Sequence, residues 1–303
     1  MRLLVIKHGA LGDIMQGLDA FASLRAHYDG AHISVLTTPA FAELMATMPY
    51  FDEVLVDHRA SVFHLKKTFA VKRIIASGFD IIIDMQCSKR TARYHRLFAK
   101  PSQRWLGTAK GCSDPYPDFT GVNNRDRMVR APQMLGAKII AGDLSFMAEG
   151  NALALPACYG VLMPGCSPAK PSKRWPATHF SDLAEMLYQV DIVPVIIGTK
   201  IDEAACDEIA ASCDFAINLC GKTNLAELAS LSAGAVLCVG NDSGPTFLAA
   251  KTGTKTLMVM GPDADPTMSA PTGTKASYVK SDDLTLLAAA DVFAALKIPK
   301  MKS

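Results

Sequence analysis

The chain alternates short, continuous apolar runs with longer segments of helical period. RLLVIKH (2–8), HISVLTT (32–38), EVLVDH (53–58), DIIIDMQ (80–86) and RWLG (104–107) read as strands, and helices are expected near 14–28, 39–48, 61–78, 88–99 and 123–136. The runs are apolar at nearly every position, as in parallel strands covered on both faces. After a less regular stretch from Gly142 to Pro156 the cycle restarts with YGVLM (159–163), IVPVIIG (192–198), FAINLCG (215–221), AVLCVG (235–240) and TLMVMG (256–261). Helices over 177–189, 201–212, 223–232 and 244–252 separate these runs, and a last helix ends near Leu296. The pattern predicts an α/β chain of two Rossmann-like domains with parallel sheets, residues 1–150 and 151–303, its last helix placed to return to the N-terminal domain.

Composition narrows the class. Half of the residues are hydrophobic and a fifth charged, as in an ordinary globular protein. No apolar stretch approaches the roughly 18 residues of a membrane span, and the opening MRLLVIKHGALGD is too short for a secretory leader, so a cytoplasmic chain is expected. Eight cysteines without a C-x-x-C pair are expected as buried thiols, with neither a disulfide framework nor a zinc site. The net charge of +2 conceals an uneven distribution: 15 Lys/Arg face five Asp/Glu between Arg59 and Arg130. Such an excess is either an ordinary solvated surface or a positive face for an anionic partner. Neither half carries G-x-G-x-x-G after its first strand, and G-x-x-x-x-G-K-[ST] is absent, which leaves dinucleotide cofactors and P-loop chemistry without support.

Ligands of open α/β sheets bind outside the carboxyl ends of the strands, and three turns fall there. In KHGALGD (7–13), Gly9 and Gly12 permit tight backbone and close approach to a ligand, while Asp13 opens the following helix, as a cap or as a general base. MPGCSPAKPSKRWP (163–176) offers Ser167, Lys170, Lys173 and Arg174 to phosphate oxygens from a loop stiffened by prolines and anchored by Trp175; the plainer reading is an exposed basic loop. In VGNDSGPTF, Asp242, Ser243 and Gly244 precede Pro245 at a helix start, where polar side chains can accept unpaired backbone N–H groups and the helix end attracts anions. Asp202 and Glu203 follow a strand as either ribose ligands or ordinary first-turn acids.

The ordered set K-R-W-P, V-I-I-G, N-L-C-G-K-T-N-L-A-E-L, V-G-N-D-S-G-P and M-G-P, preceded by G-D at 12–13 and I-D-M-Q at 83–86, resembles glycosyltransferase family 9, the ADP-heptose:lipopolysaccharide heptosyltransferases. The resemblance spans roughly residues 2–300. It implies a GT-B fold, with the acceptor on the N-terminal domain and the nucleotide sugar on the C-terminal one, and inverting transfer without metal or cofactor. Asp13 matches the family's proposed base and Lys173 its donor-phosphate lysine. Asp242, Ser243 and Gly244 match its donor-binding turn, and Asp202, preferred over Glu203, stands where an acidic residue meets the ribose. The implied partners are ADP-heptose and an anionic saccharide or glycolipid acceptor, with peripheral contact at the inner face of the inner membrane and no nucleic acid.

Two positions depart from that pattern. Phe247 stands where the family has His after D-S-G-P, and Asp19 where it has Pro. The first bears on donor affinity and donor identity, and it motivates the alternative of a catalytically degenerate nucleotide-sugar-binding protein. A GT-B epimerase shares the fold without the ordered motifs. Asp263-Ala-Asp265 spells the D-x-D of metal-dependent glycosyltransferases, but it falls where the resemblance implies an ordinary loop after a strand.

Overall fold

In the computed structural model, which describes residues 1–59, 65–150 and 154–298, the apolar runs form two six-stranded sheets whose pairings are all parallel. The chain divides into two compact units, Met1–Gly142 and Asp143–Ser303. Leu144 N–H donates to the Lys251 carbonyl, and the 3-10 turn Ser145–Gly150 packs on a helix of the second unit. Both contacts move the division ahead of the expected break after Gly150.

The first unit contains β1 (Arg2–Ile6), β2 (His32–Thr37), β3 (Glu53–Val56), β4 (Ile81–Asp84), β5 (Arg104–Gly107) and the two-residue β6 (Asp114–Pro115), in the order β3-β2-β1-β4-β5-β6. Its helices are α1 (Leu11–Gln16), α2 (Leu18–His27), α3 (Pro39–Thr47), α4 (Leu65–Ile75), α5 (Lys89–Phe98) and α6 (Asn124–Met134). The helix expected over 14–28 begins earlier, at Leu11, and is divided at Gly17, a residue whose backbone freedom makes it a poor helix former. The start of the helix expected over 61–78 falls on residues 61–64, outside the described residues, as do 151–153 of the expected boundary stretch.

The second unit contains β7 (Tyr159–Met163), β8 (Val193–Ile196), β9 (Ile217–Asn218), β10 (Leu237–Asn241), β11 (Lys255–Met260) and β12 (Ala276–Lys280). From one edge the order is β9-β8-β7-β10-β11-β12, which repeats strand for strand the order of the first sheet. Its helices are α7 (Ala177–Tyr188), α8 (Glu203–Ser212), α9 (Leu225–Gly234), α10 (Gly244–Ala250), α11 (Pro266–Ser269) and α12 (Ala289–Ala295). α12 packs on α7 of its own unit, with Val292 and Leu296 in that unit's core.

Central strands are sealed on both faces: Leu3 to Ile6, Val161 and Cys238 are inaccessible to solvent. Each order reverses direction once, between β1 and β4 and between β7 and β10. Loops leaving adjacent strands there diverge to opposite faces of the sheet and open a crevice at the carboxyl edge.

Candidate functional site

In the second unit, the loop after β7 and the turn after β10 flank one such crevice. Asn241, the last residue of β10, is fully buried; its amide donates to the Pro164 carbonyl at 2.7 Å and its side-chain oxygen accepts the Trp175 N–H at 3.0 Å. One side chain thus ties both ends of the 164–175 loop to the sheet. The Trp175 indole donates to the Leu287 carbonyl at 2.9 Å and fixes the loop from below. A 3-10 turn over Pro171–Lys173 then delivers the Lys173 ammonium onto the carboxylate of buried Asp242.

Arg174, next in the chain, donates to the Cys166 carbonyl at 2.9 Å and to Asp202 Oδ1 at 3.2 Å. The other Asp202 oxygen accepts the Thr199 N–H at 3.1 Å and hydroxyl at 2.9 Å. Gly165 must lack a side chain, because a Cβ there would sit 2.6 Å from the Asp202 carboxylate. Asp202 is therefore buried and held from two loops, whereas Glu203 is exposed on the first turn of α8.

Ser243 precedes α10, but its hydroxyl makes no capping bond to the helix, contrary to the sequence expectation. Pro245 occupies the second helical position and removes one of the two N–H groups that a capping side chain can accept from. Ser243 Oγ is buried without a hydrogen-bond partner. It borders a cavity of about 270 Å³ whose lining includes Ser167, Asp202, Ser243 and Gly244 together with the apolar Ile197, Ile201, Leu225 and Leu228. Lys173, Glu203 and Phe247 do not line it, and Phe247 is buried in its unit at 8% exposure. Thr223 and Asn224, to which the sequence reading assigned no role, complete the wall. Their signal was available in T-N-L-A-E: Asn224 Oδ1 accepts the Glu227 N–H and the Glu227 carboxylate accepts the Asn224 N–H, each at 2.8 Å.

The first unit presents its own crevice between β1 and β4. Gly9 (φ 132°) turns the chain there, with Phe41 packed where a side chain would stand. Asp13 does not open α1 as the sequence suggested; it is the third residue of that helix and reaches back, Oδ2 accepting the Ala10 N–H at 3.2 Å. Gly12 lies beside it in the same turn. Asn124 Nδ2 donates to Asp13 Oδ1 at 2.7 Å, and the buried Lys7 ammonium lies 3.9 Å from Oδ2. The carboxylate is nevertheless about half exposed, 46% by side-chain area, and so is open to a reactant. Burial lowers the Lys7 pKa, and Asp13 is the largest opposing influence. Asp19 is structural instead. Its carboxylate accepts Arg125 at 2.6 Å and the Gly142 N–H at 3.0 Å, fastening α6 and the end of this unit to α2.

Behind the crevice lies a buried polar group that the sequence reading did not assemble. His8 Nε2 is 3.1 Å from Asp57 Oδ2, the Tyr94 hydroxyl donates to the same oxygen at 2.5 Å, and the His8 N–H donates to Gln86 at 2.9 Å. Burial works to raise the Asp57 pKa, but the His8, Tyr94 and Arg59 N–H bonds outweigh it and hold it at about 2. Asp84, at the end of β4, is shifted the other way, because burial pushes its pKa up.

Among the described residues no group of three or more His, Cys, Asp or Glu is arranged around a metal position. The two acids of the D-x-D triplet have local partners: Asp263 accepts the Ser172 hydroxyl at 2.5 Å, and Asp265 caps α11 through the Thr267 N–H at 2.9 Å.

A family model, glycosyltransferase family 9 (heptosyltransferase), matches residues 132–289, just over half of the chain. Lipooligosaccharide heptosyltransferase 2 of Haemophilus influenzae is 24% identical over 92% of this chain and 88% of its own length. Lipopolysaccharide heptosyltransferase 2 of Escherichia coli is 25% identical over the same shares. The E. coli heptosyltransferase WaaC, solved with ADP, has the same fold, with a TM-score of 0.85 at 19% identity over 98% of this chain and 99% of its own.

Proposed function

Because the chain belongs to glycosyltransferase family 9 and is therefore a glycosyltransferase, we propose that it moves a heptose from ADP-heptose to an anionic saccharide acceptor of the lipopolysaccharide core. The reaction inverts the sugar and needs no metal. The observation that carries the donor half is the buried, unpartnered Ser243 hydroxyl beside a cavity lined by both polar and apolar side chains. A nucleotide matches this mixed lining: a base for Ile197, Ile201, Leu225 and Leu228, a ribose for Asp202, and phosphate oxygens for Ser243. The relatives' names support a heptosyl donor and a lipopolysaccharide acceptor.

The N–H groups at the start of α10 hold the donor diphosphate, and Lys173, outside the cavity lining but held on Asp242 just before that turn, adds positive charge toward it; both stabilise the negative charge that grows on the leaving ADP. These fixed donors take the electrostatic part that a metal ion fills elsewhere. Asp13 accepts the proton of the attacking acceptor hydroxyl. The new bond forms between that oxygen and the anomeric carbon, on the side opposite the departing phosphate oxygen, and the configuration inverts. Asn124 and the Ala10 N–H aim the carboxylate.

Phe247, which favours a degenerate, non-transferring protein, is buried in its unit and is not among the residues that line the cavity. It leaves the donor walls intact. Calorimetric titration with ADP beside UDP, GDP and CMP tests the reading. Selective binding of ADP is expected; binding of a different nucleotide overturns the ADP-heptose assignment, and binding of none overturns the donor site.

A further inference from the structure

The basic excess of the first unit has a definite location. Helices α4 and α5 cover one face of the first sheet, with Val71 and Ile75 of α4 and Tyr94 of α5 sharing a core with Leu4, Ile6 and Ile82. Their outer sides therefore face the same way. On α4 that side carries Phe69, Lys72 and Arg73, and on α5 it carries Lys89, Arg93, Arg96 and Leu97, all exposed. The spacing of these residues, three and four apart, gathers each set on one stripe. From Lys67 to Lys100 the acidic residues are Asp80, which accepts the Arg2 N–H at the far edge of the sheet, and buried Asp84.

Cations alone would be a solvated surface. The two large apolar side chains set among them change that reading, because Phe69 is 58% and Leu97 57% exposed. We infer that the outer face of α4 and α5 docks on an anionic lipid bilayer, with Phe69 and Leu97 entering between head groups and the surrounding cations pairing with lipid phosphates. The charge complementarity and the alternation of cation and apolar tip select this partner. A nucleic acid would match the charge but leave an aliphatic Leu97 with nothing to stack on, and a second copy of the same face would repel. The location fits the function: α5 starts a few residues past β4, at the sheet edge where Asp13 and His8 lie. The inference deepens the proposed function by naming the surface through which a membrane-borne acceptor is approached, and it rests on that reading only for its purpose.

The test is co-sedimentation of the full chain with vesicles of equimolar phosphatidylcholine and phosphatidylglycerol, beside vesicles of phosphatidylcholine alone. Retention on the anionic vesicles only is expected, weakening as salt rises. K89E/R93E/R96E should lower partitioning at least about 100-fold, taking roughly fivefold for each cation lost. F69S/L97S, which leaves every charge in place, should lower it about tenfold. Unchanged thermal melting of both variants shows that they are folded. The inference is overturned if anionic vesicles do not retain the wild-type chain, or if the variants are retained as well as it is. It is equally overturned if F69S/L97S binds vesicles normally while both it and wild type bind single-stranded DNA as tightly as vesicles, for then the face reads polyanions. Binding of ADP is scored separately, so failure at the membrane and failure of the donor site are distinguishable.

Discussion

Asn124 and Asp13, 111 residues apart in the chain, are joined by a hydrogen bond of 2.7 Å from the Asn124 amide to Asp13 Oδ1. With the Ala10 N–H on the other oxygen, it fixes the plane of a carboxylate that is otherwise open to solvent. Removing the amide frees the carboxylate to rotate. Asn124→Ala should lower kcat by about 10- to 100-fold while the Kd for ADP is unchanged, because misorientation of a base costs rate and not donor binding. Equal kcat in the variant contradicts a positioning role.

The Lys173–Asp242 pair predicts a stability cycle. Asp242 is nearly buried, so Lys173→Met leaves a carboxylate without its counter-charge, a loss of about 3 kcal/mol in urea unfolding. Lys173→Met/Asp242→Leu should recover most of that stability, since neither charge remains to be desolvated. Neither variant should bind ADP with wild-type affinity. A double variant that binds normally shows that Lys173 does not hold phosphate.

Asp57 makes stability depend on acid. Its folded pKa, about 2, lies below the ordinary 3.8, so its contribution is fully present above the ordinary value and is lost as pH falls through about 2. The shift corresponds to about 2 kcal/mol. Asp57→Asn should lower stability at neutral pH and flatten the change in urea midpoint between about pH 5 and pH 2. Asp84 has the opposite sign: its raised pKa makes ionisation costly, and protonation relieves that cost. An unaltered acid profile in Asp57→Asn contradicts the assignment.

Phe247→His separates a packing residue from a lost ligand. Because the ring is buried and does not line the cavity, imidazole there should destabilise the chain by about 1–3 kcal/mol without improving ADP affinity. A gain in affinity or turnover shows that His at this position reaches the donor.

Much of the architecture was legible because parallel strands buried on both faces leave unbroken apolar runs. RLLVI and TLMVM are such strands, and the alternation of runs like these with helices implied both sheets. The edges were not legible. ASYVK (β12) is half exposed and alternates weakly, β6 is two residues long, and FAINLCG contributes only Ile217 and Asn218 to its sheet. At the candidate site, Asp202 and Ser243 lie beside turns that local chemistry singles out and line the cavity, whereas Lys173, singled out in the same way, pairs with Asp242 and does not line it. The groups that hold such residues were not legible. Asn124 reaches Asp13 across 111 residues, Tyr94 reaches Asp57 across 37, and Asn241 lies inside a recognisable motif while its two bonds go to a loop more than 60 residues earlier. Such partners become visible only when strand order has brought the loops together.

In the proposed reaction Asp13 accepts the acceptor's proton while ADP-heptose is held elsewhere on the chain. The most direct test is ADP release from ADP-heptose in the presence of a heptose-deficient lipopolysaccharide core, measured for wild type and Asp13→Ala alongside the Kd of each for ADP. Wild type should turn over and the variant should not, with the two Kd values nearly equal. Turnover by the variant, or loss of transfer and ADP binding together, would contradict this role of Asp13.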